Sequence, residues 1–174
     1  MYIGVANTCM LAWTKRMVDA YAKIIPSMRE YVEVQKDMVL ADRSVDYRFL
    51  TRLDMAPIGG MLEKAYGKKS AHKEIENFFD NLSGVLNTHK NVSVGYAPYL
   101  GMPFLIPYRE TPAEVFLIIR DSQGIYMAGM HIYAPEIAEE LTADFNKMSK
   151  KSVDLRSRRG LEVLERQRKV CASL

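Results

Sequence analysis

The sequence predicts an α+β fold: a mostly helical N-terminal half, a three- to four-stranded antiparallel sheet over about residues 92–133, and a basic C-terminal helix. Three observations lead there. Before Asn87 the apolar residues recur at steps of three and four, the period of a helix face. After Asn91 the period falls to two, and Val115-Phe116-Leu117-Ile118-Ile119 is an unbroken apolar run, the pattern of a strand covered on both faces. From Pro135 the helical period returns and the charge turns positive. A chain of 174 residues can bury a sizeable core, so 1–174 is read as a single α+β domain, with 150–174 as a basic helical extension.

Taken in order, Met10, Trp13, Met17, Tyr21 and Ile24 form the stripe of a first helix, with Asn7 or Thr8 as its N-cap and Pro26 as its stop. Ser27-Met28-Arg29-Glu30 has the form of a capping box, and Met28 to Val39 continues at helical spacing, although Tyr31–Val34 also fits a short strand. Residues 42–55 read as a third helix through Val45, Phe49, Leu50 and Leu53, ended by Pro57 and Gly59-Gly60. Met61–Tyr66 is a short turn closed by Gly67, and Ser70 opens the clearest helix, carried by Ile75, Phe78, Phe79, Leu82, Val85 and Leu86.

Val92, Val94 and Tyr96 alternate as a strand should. Prolines at 98, 103 and 107 leave Phe104–Ile106 as a short edge strand at most. The apolar run then joins Ile125–Tyr133 through the polar turn Asp121-Ser122-Gln123-Gly124, making a hairpin whose first strand is expected at the centre of the sheet. Pro135 starts the last long helix, with glutamates in its first turns and lysines at its end, as the helix dipole favours. This hairpin resembles the last hairpin of small sensory domains of the PAS or Cache type. Those families would not account for ninety mostly helical residues ahead of it, and no family is assigned.

Motifs of catalysis and cofactor binding are missing. Gly59-Gly60 to Ser70 has the wrong glycine spacing for a phosphate-binding loop, and Lys69 stands where the hydroxyl should be. His72, His89 and His131 lie far apart, and no pair of ligands has a zinc-type spacing with a second pair to match. Cys9 and Cys171 read as two reduced thiols, with nothing to bring either to a base. No catalytic residue, cofactor or metal is assigned, and an enzyme with a scattered site is the less favoured alternative. With no apolar run long enough to span a bilayer and no secretory start, the expected setting is intracellular and cytoplasmic.

Charge is the feature that points to a partner. Residues 144–174 carry nine Lys or Arg against four acids, whereas the rest of the chain is close to neutral. The expected contact residues are Lys147, Lys150, Lys151, Arg156, Arg158, Arg159, Arg166, Arg168 and Lys169. The favoured function is a non-catalytic structural or interaction protein, a subunit docking through this segment on an acidic protein partner or on a second copy. The first alternative is nucleic-acid binding, aided by the seven aromatics between Tyr96 and Tyr133. The second is a small-molecule sensor with a pocket at the hairpin, around His131 and Tyr133. Eleven methionines suit adaptable surfaces as well as irregular cores.

Overall fold

The computed structural model describes residues 1–41, 43, 45–100, 103–107, 113–120 and 126–172. Its α+β class is the expected one, but the sheet is not. Seven strands form one mixed sheet in the order β6-β5-β4-β1-β2-β3-β7, with six α-helices around it. Three- to four-stranded and antiparallel describes only the β4–β6 end.

β1 (Tyr2–Ala6) comes from a segment to which the sequence reading assigns no element, and β2 (Tyr47–Thr51) from one expected to be helical. β1 lies in the interior of the sheet, parallel to β2 from Tyr2↔Tyr47 to Ala6↔Thr51. β2 in turn runs parallel to β3 (Val92–Tyr96). Gly4 is what lets β1 fit there, because a Cβ at that position would meet the Phe49 ring at 2.8 Å. The expected helix over 42–55 is therefore not formed, and its middle is β2.

Parallel neighbours need crossover connections, and helices supply both. After β1 come a 3₁₀ turn (Met10–Ala12), α1 (Lys15–Ala22) and α2 (Met28–Lys36). α2 runs straight into a π-helical segment (Asp37–Ala41). The single long first helix of the sequence reading is thus broken, and the N-cap of α1 is Thr14, whose hydroxyl accepts from the Met17 amide. After β2 come α3 (Ala56–Tyr66) and α4 (Lys68–Thr88). Pro57 and Gly59-Gly60 sit inside α3 rather than ending it, and Gly67, at φ 82°, is the break between the two helices.

Beyond β3 the chain crosses to the other end of the sheet. β4 (Phe104–Pro107) pairs antiparallel with β1 on one side and β5 (Glu114–Arg120) on the other, so it is internal rather than an edge. β5 and β6 (Tyr126–Tyr133) form the expected hairpin. β6 is the sheet's edge and β5 its neighbour, so the apolar run is not the central strand. Nor is it covered throughout on both faces: Val115 is buried, but Ile119 is 44% exposed. The Asp121–Gly124 turn and the Ile118 side chain fall outside the described residues.

α5 (Pro135–Lys151) starts at the β6 edge and ends at β7 (Val153–Asp154), the opposite edge. It therefore traverses the face that the crossover helices leave free, burying Ala138 and Phe145 against Ile3, Val5, Leu50, Phe104, Ile106 and Val115. The first face holds the larger core, with Trp13, Met17, Tyr21, Phe49, Phe78, Phe79 and Leu82. Each such large side chain, fully buried, is worth about 1.5–3 kcal/mol. α6 (Arg158–Ala172) closes that core through Val163, Leu164 and Cys171.

Candidate functional site

The basic segment divides at Gly160. A Cβ there would lie 2.1 Å from the Asp154 carbonyl oxygen, so glycine allows α6 to start tightly against the end of β7. Before it, residues 147–159 carry six cations and one acid, and all six cations are exposed. They bracket β7, which pairs with β3 over two residues only. After it, residues 160–172 carry three cations and two acids.

The nine expected contact residues do different work. Arg156 donates from Nε to the Leu86 carbonyl at 2.8 Å and from a terminal nitrogen to the His89 carbonyl at 2.6 Å. These are carbonyls at the C-terminal end of α4, where no further helical amide follows; the His89 carbonyl also accepts from the Val92 amide at 3.0 Å. Arg156 is a helix cap supplied from 67 residues away. Arg168 pairs with Asp80 on α4 and lies over the Phe79 ring, its carbon 5.8 Å from the ring centroid. It fastens α6 to α4.

The others are on the surface. Lys147 pairs with Asp144 at 3.1 Å, Arg158 with Glu162 at 3.7 Å and Lys169 with Glu165 at 2.9 Å, all within their own helices. Exposed pairs of this kind contribute roughly 0.3–0.5 kcal/mol and open readily to a competing anion. The Lys169 ammonium, through its hydrogen bond and its charge, holds the Glu165 carboxyl below its ordinary value. Lys150, Lys151, Arg159 and Arg166 have no ion pair among the described residues. One cation escaped the sequence reading. Lys90 is exposed and directly follows His89, whose carbonyl Arg156 holds. Only the fold brings that turn to the junction.

His131 and Tyr133 separate. His131 stacks on Phe116 across the hairpin, with ring centroids 4.4 Å apart, and its Nε2 lies 3.4 Å from a Glu114 carboxylate oxygen. It lines a cavity of about 560 Å³ between α2 and β5–β6, with Met10, Ile25, Met28, Tyr31 and Leu117 among its neighbours. Tyr133 is 75% exposed at the sheet edge and lines no described cavity. A second cavity of about 460 Å³ lies beside the first and shares Tyr31, Val34 and Phe116 with it. Its lining includes Gln35, Met38 and Val39.

The remaining candidates resolve into structure. Cys9 is fully buried, and burial pushes its thiol up to about 12. Burial, with the Asp54 charge, takes Cys171 to about 11. Neither is poised as a thiolate. The Lys36 amine, half-buried and with its pKa lowered by that burial, donates to the Trp13 carbonyl at 2.6 Å. The sheet aromatics do not share a face: Phe104 packs under α5, whereas Phe116 lies against the opposite core. Among the described residues no group of His, Cys, Asp and Glu could hold a metal ion, and no helix is long and apolar enough to cross a membrane.

No protein-family model matches the chain, and no curated protein matches it. Among solved structures it is similar to TrmBL2, an archaeal chromatin protein described as showing a novel mode of DNA binding, with 14% identity and a TM-score of 0.41. The match covers 87% of this chain and 44% of that one, so the chain spans less than half the length of that structure. A likeness at this level carries no argument about function.

Proposed function

We propose that the chain binds nucleic acid through the phosphate backbone, using the exposed cations around β7. The observation that carries this reading is the density of accessible charge at one place: six cations against one acid within residues 147–159, with Lys90 beside them. Flexible, solvated Lys and Arg side chains at a sheet edge suit phosphate oxygens, whose condensed counterions are released on binding. Phosphate contacts give affinity and register rather than sequence selectivity. Binding of mixed sequences at similar strength is therefore the expected behaviour.

Arg156 has a supporting role in this reading. It fixes the position of the junction by capping α4, and its guanidinium is already engaged. The variant that tests the proposal therefore spares it and neutralises Lys90, Lys150, Lys151, Arg158 and Arg159. Wild type and variant are titrated with a mixed-sequence oligonucleotide over a range of salt. The logarithm of the wild-type binding constant should fall linearly with the logarithm of salt. In the variant the slope should shrink by roughly one for each phosphate that is no longer neutralised. No wild-type binding at low salt, or equal slopes, would overturn the reading.

A second reading keeps the same residues and changes the partner to an acidic protein surface. The segregation of charge to one end of the chain favours it equally. Salt would then mainly slow association, and nucleic acid would bind poorly at physiological ionic strength.

A further inference from the structure

We propose that the 460 Å³ cavity at the end of α2 binds a small, mostly apolar molecule that carries one hydrogen-bond donor. The lining draws on β1, β2, β4 and β5 as well as on α2 and includes none of the cations proposed to contact phosphate, so this site is distinct from them. Tyr31, Gln35, Met38 and Val39 line it from the helical side, and Leu105 and Phe116 from the sheet.

The need for a donor comes from Gln35. It is only 8% exposed, and its Nε2 donates to the Tyr31 hydroxyl at 3.0 Å. The amide oxygen Oε1 is buried and meets no donor among the described residues. A buried acceptor left in that state is destabilising, and a ligand hydroxyl or N–H that reached it would relieve the cost.

The backbone here is also unusual. α2 widens into the π-helical segment at Asp37, which places Met38 and Val39 on the cavity wall. Such segments are rare and are found often at functional sites. This one is held from outside, since the Asn91 side-chain amide donates to the Val39 and Val45 carbonyls, each at 2.9 Å. The volume is in the range of small-molecule sites, and the methionines give the wall some adaptability. Among the described residues of the lining, Glu114 carries the one charged side chain.

The test uses two probes on the full chain, 2-naphthol and 2-methoxynaphthalene, which share an apolar body and differ in the donor. By titration calorimetry, 2-naphthol should bind saturably and at least about tenfold more tightly than the ether. Gln35→Leu, checked for an unchanged melting temperature, should remove that preference. Val34→Trp, at a half-exposed position shared by both cavities, fills the space and should abolish binding of both probes. The proposal is overturned if neither probe saturates on the wild type, or if the ether binds as tightly as the naphthol. It is also overturned if the preference survives Gln35→Leu.

Discussion

Two halves of one basic segment behave differently. Residues 147–159 and 160–172 both look cationic in the sequence, yet the fold uses them in opposite ways. In the second half Arg168 is tied to Asp80 and Phe79, Lys169 to Glu165, and the apolar side chains of α6 are sunk into the core. In the first half all six cations are exposed around a two-residue edge strand. Arg156 is held by backbone carbonyls, Lys147 and Arg158 make only surface pairs, and Lys150, Lys151 and Arg159 have no ion pair among the described residues. Formal charge is therefore a poor guide to available charge. A cation already paired within the fold must give up that interaction before it can bind a partner, and one in solvent need not.

The largest effect expected from disturbing this division is at Gly160, where it begins. Gly160→Val forces a Cβ onto the backbone of Asp154 and Leu155, and α6 must lift from the core. Denaturant unfolding should show a loss of about 3 kcal/mol or more. A smaller loss would mean that α6 is only loosely docked.

Arg156→Ala should cost roughly 1.5–3 kcal/mol, since it removes charged hydrogen bonds to two α4 carbonyls. Arg159→Ala, three residues on, should stay within about 0.5 kcal/mol of wild type. Equal effects at the two positions would erase the distinction between the cation held by backbone carbonyls and the others.

The thiols report on docking directly. Cys171 is buried near Met55 at the far end of α6. With Ellman's reagent near pH 8, native protein should show almost no fast reaction, and both thiols should appear in guanidinium. One fast-reacting thiol in the native state would indicate a frayed tail. Because burial raises both thiols above their ordinary value of 9.0, the folded state favours their neutral forms. That contribution is complete below pH 9 and is lost as pH rises towards about 11 and 12. Stability should fall over that window, and less steeply in Cys171→Ala.

The smallest effect on stability is expected from neutralising Lys90, Lys150, Lys151, Arg158 and Arg159 together. Their side chains are exposed, so the melting temperature should scarcely move while oligonucleotide binding weakens. A large fall in melting temperature would place these residues in the folded framework.

Much of the architecture is legible in local sequence. α2, α4, β3, β5, β6 and α5 all lie close to where the apolar period places them, although Ser27 makes no capping hydrogen bond and α4 starts at Lys68 rather than at Ser70. The misses share a cause, which is that pairing partners lie far along the chain. Val45, Phe49, Leu50 and Leu53 satisfy helical spacing, but Tyr47–Thr51 is held between two parallel strands that outweigh that local pattern. β1 is short and contains a glycine, so it has little signature apart from the Phe49 ring that fills the space. Gly59 reads as a breaker, yet it marks a close approach, with a Cβ there 3.3 Å from Ile75 on α4.

For the candidate site, composition locates the cations but not their availability. Arg156 and Arg168 find partners 67 to 88 residues away, a relation that no local pattern encodes. Lys90 is in the opposite position, since nothing in its own neighbourhood distinguishes it. Gln35 is one more polar residue on a helix in the sequence, and only its burial makes the amide oxygen conspicuous.

Amide chemical-shift mapping with a short mixed-sequence duplex tests the central claim most directly, because it reads both halves of the segment in one experiment. The account predicts salt-sensitive shifts at residue 90 and across 147–159, with α6 beyond Gly160 and the α2 cavity little changed. Shifts concentrated on 160–172, or at the cavity and not at the β7 edge, would contradict it.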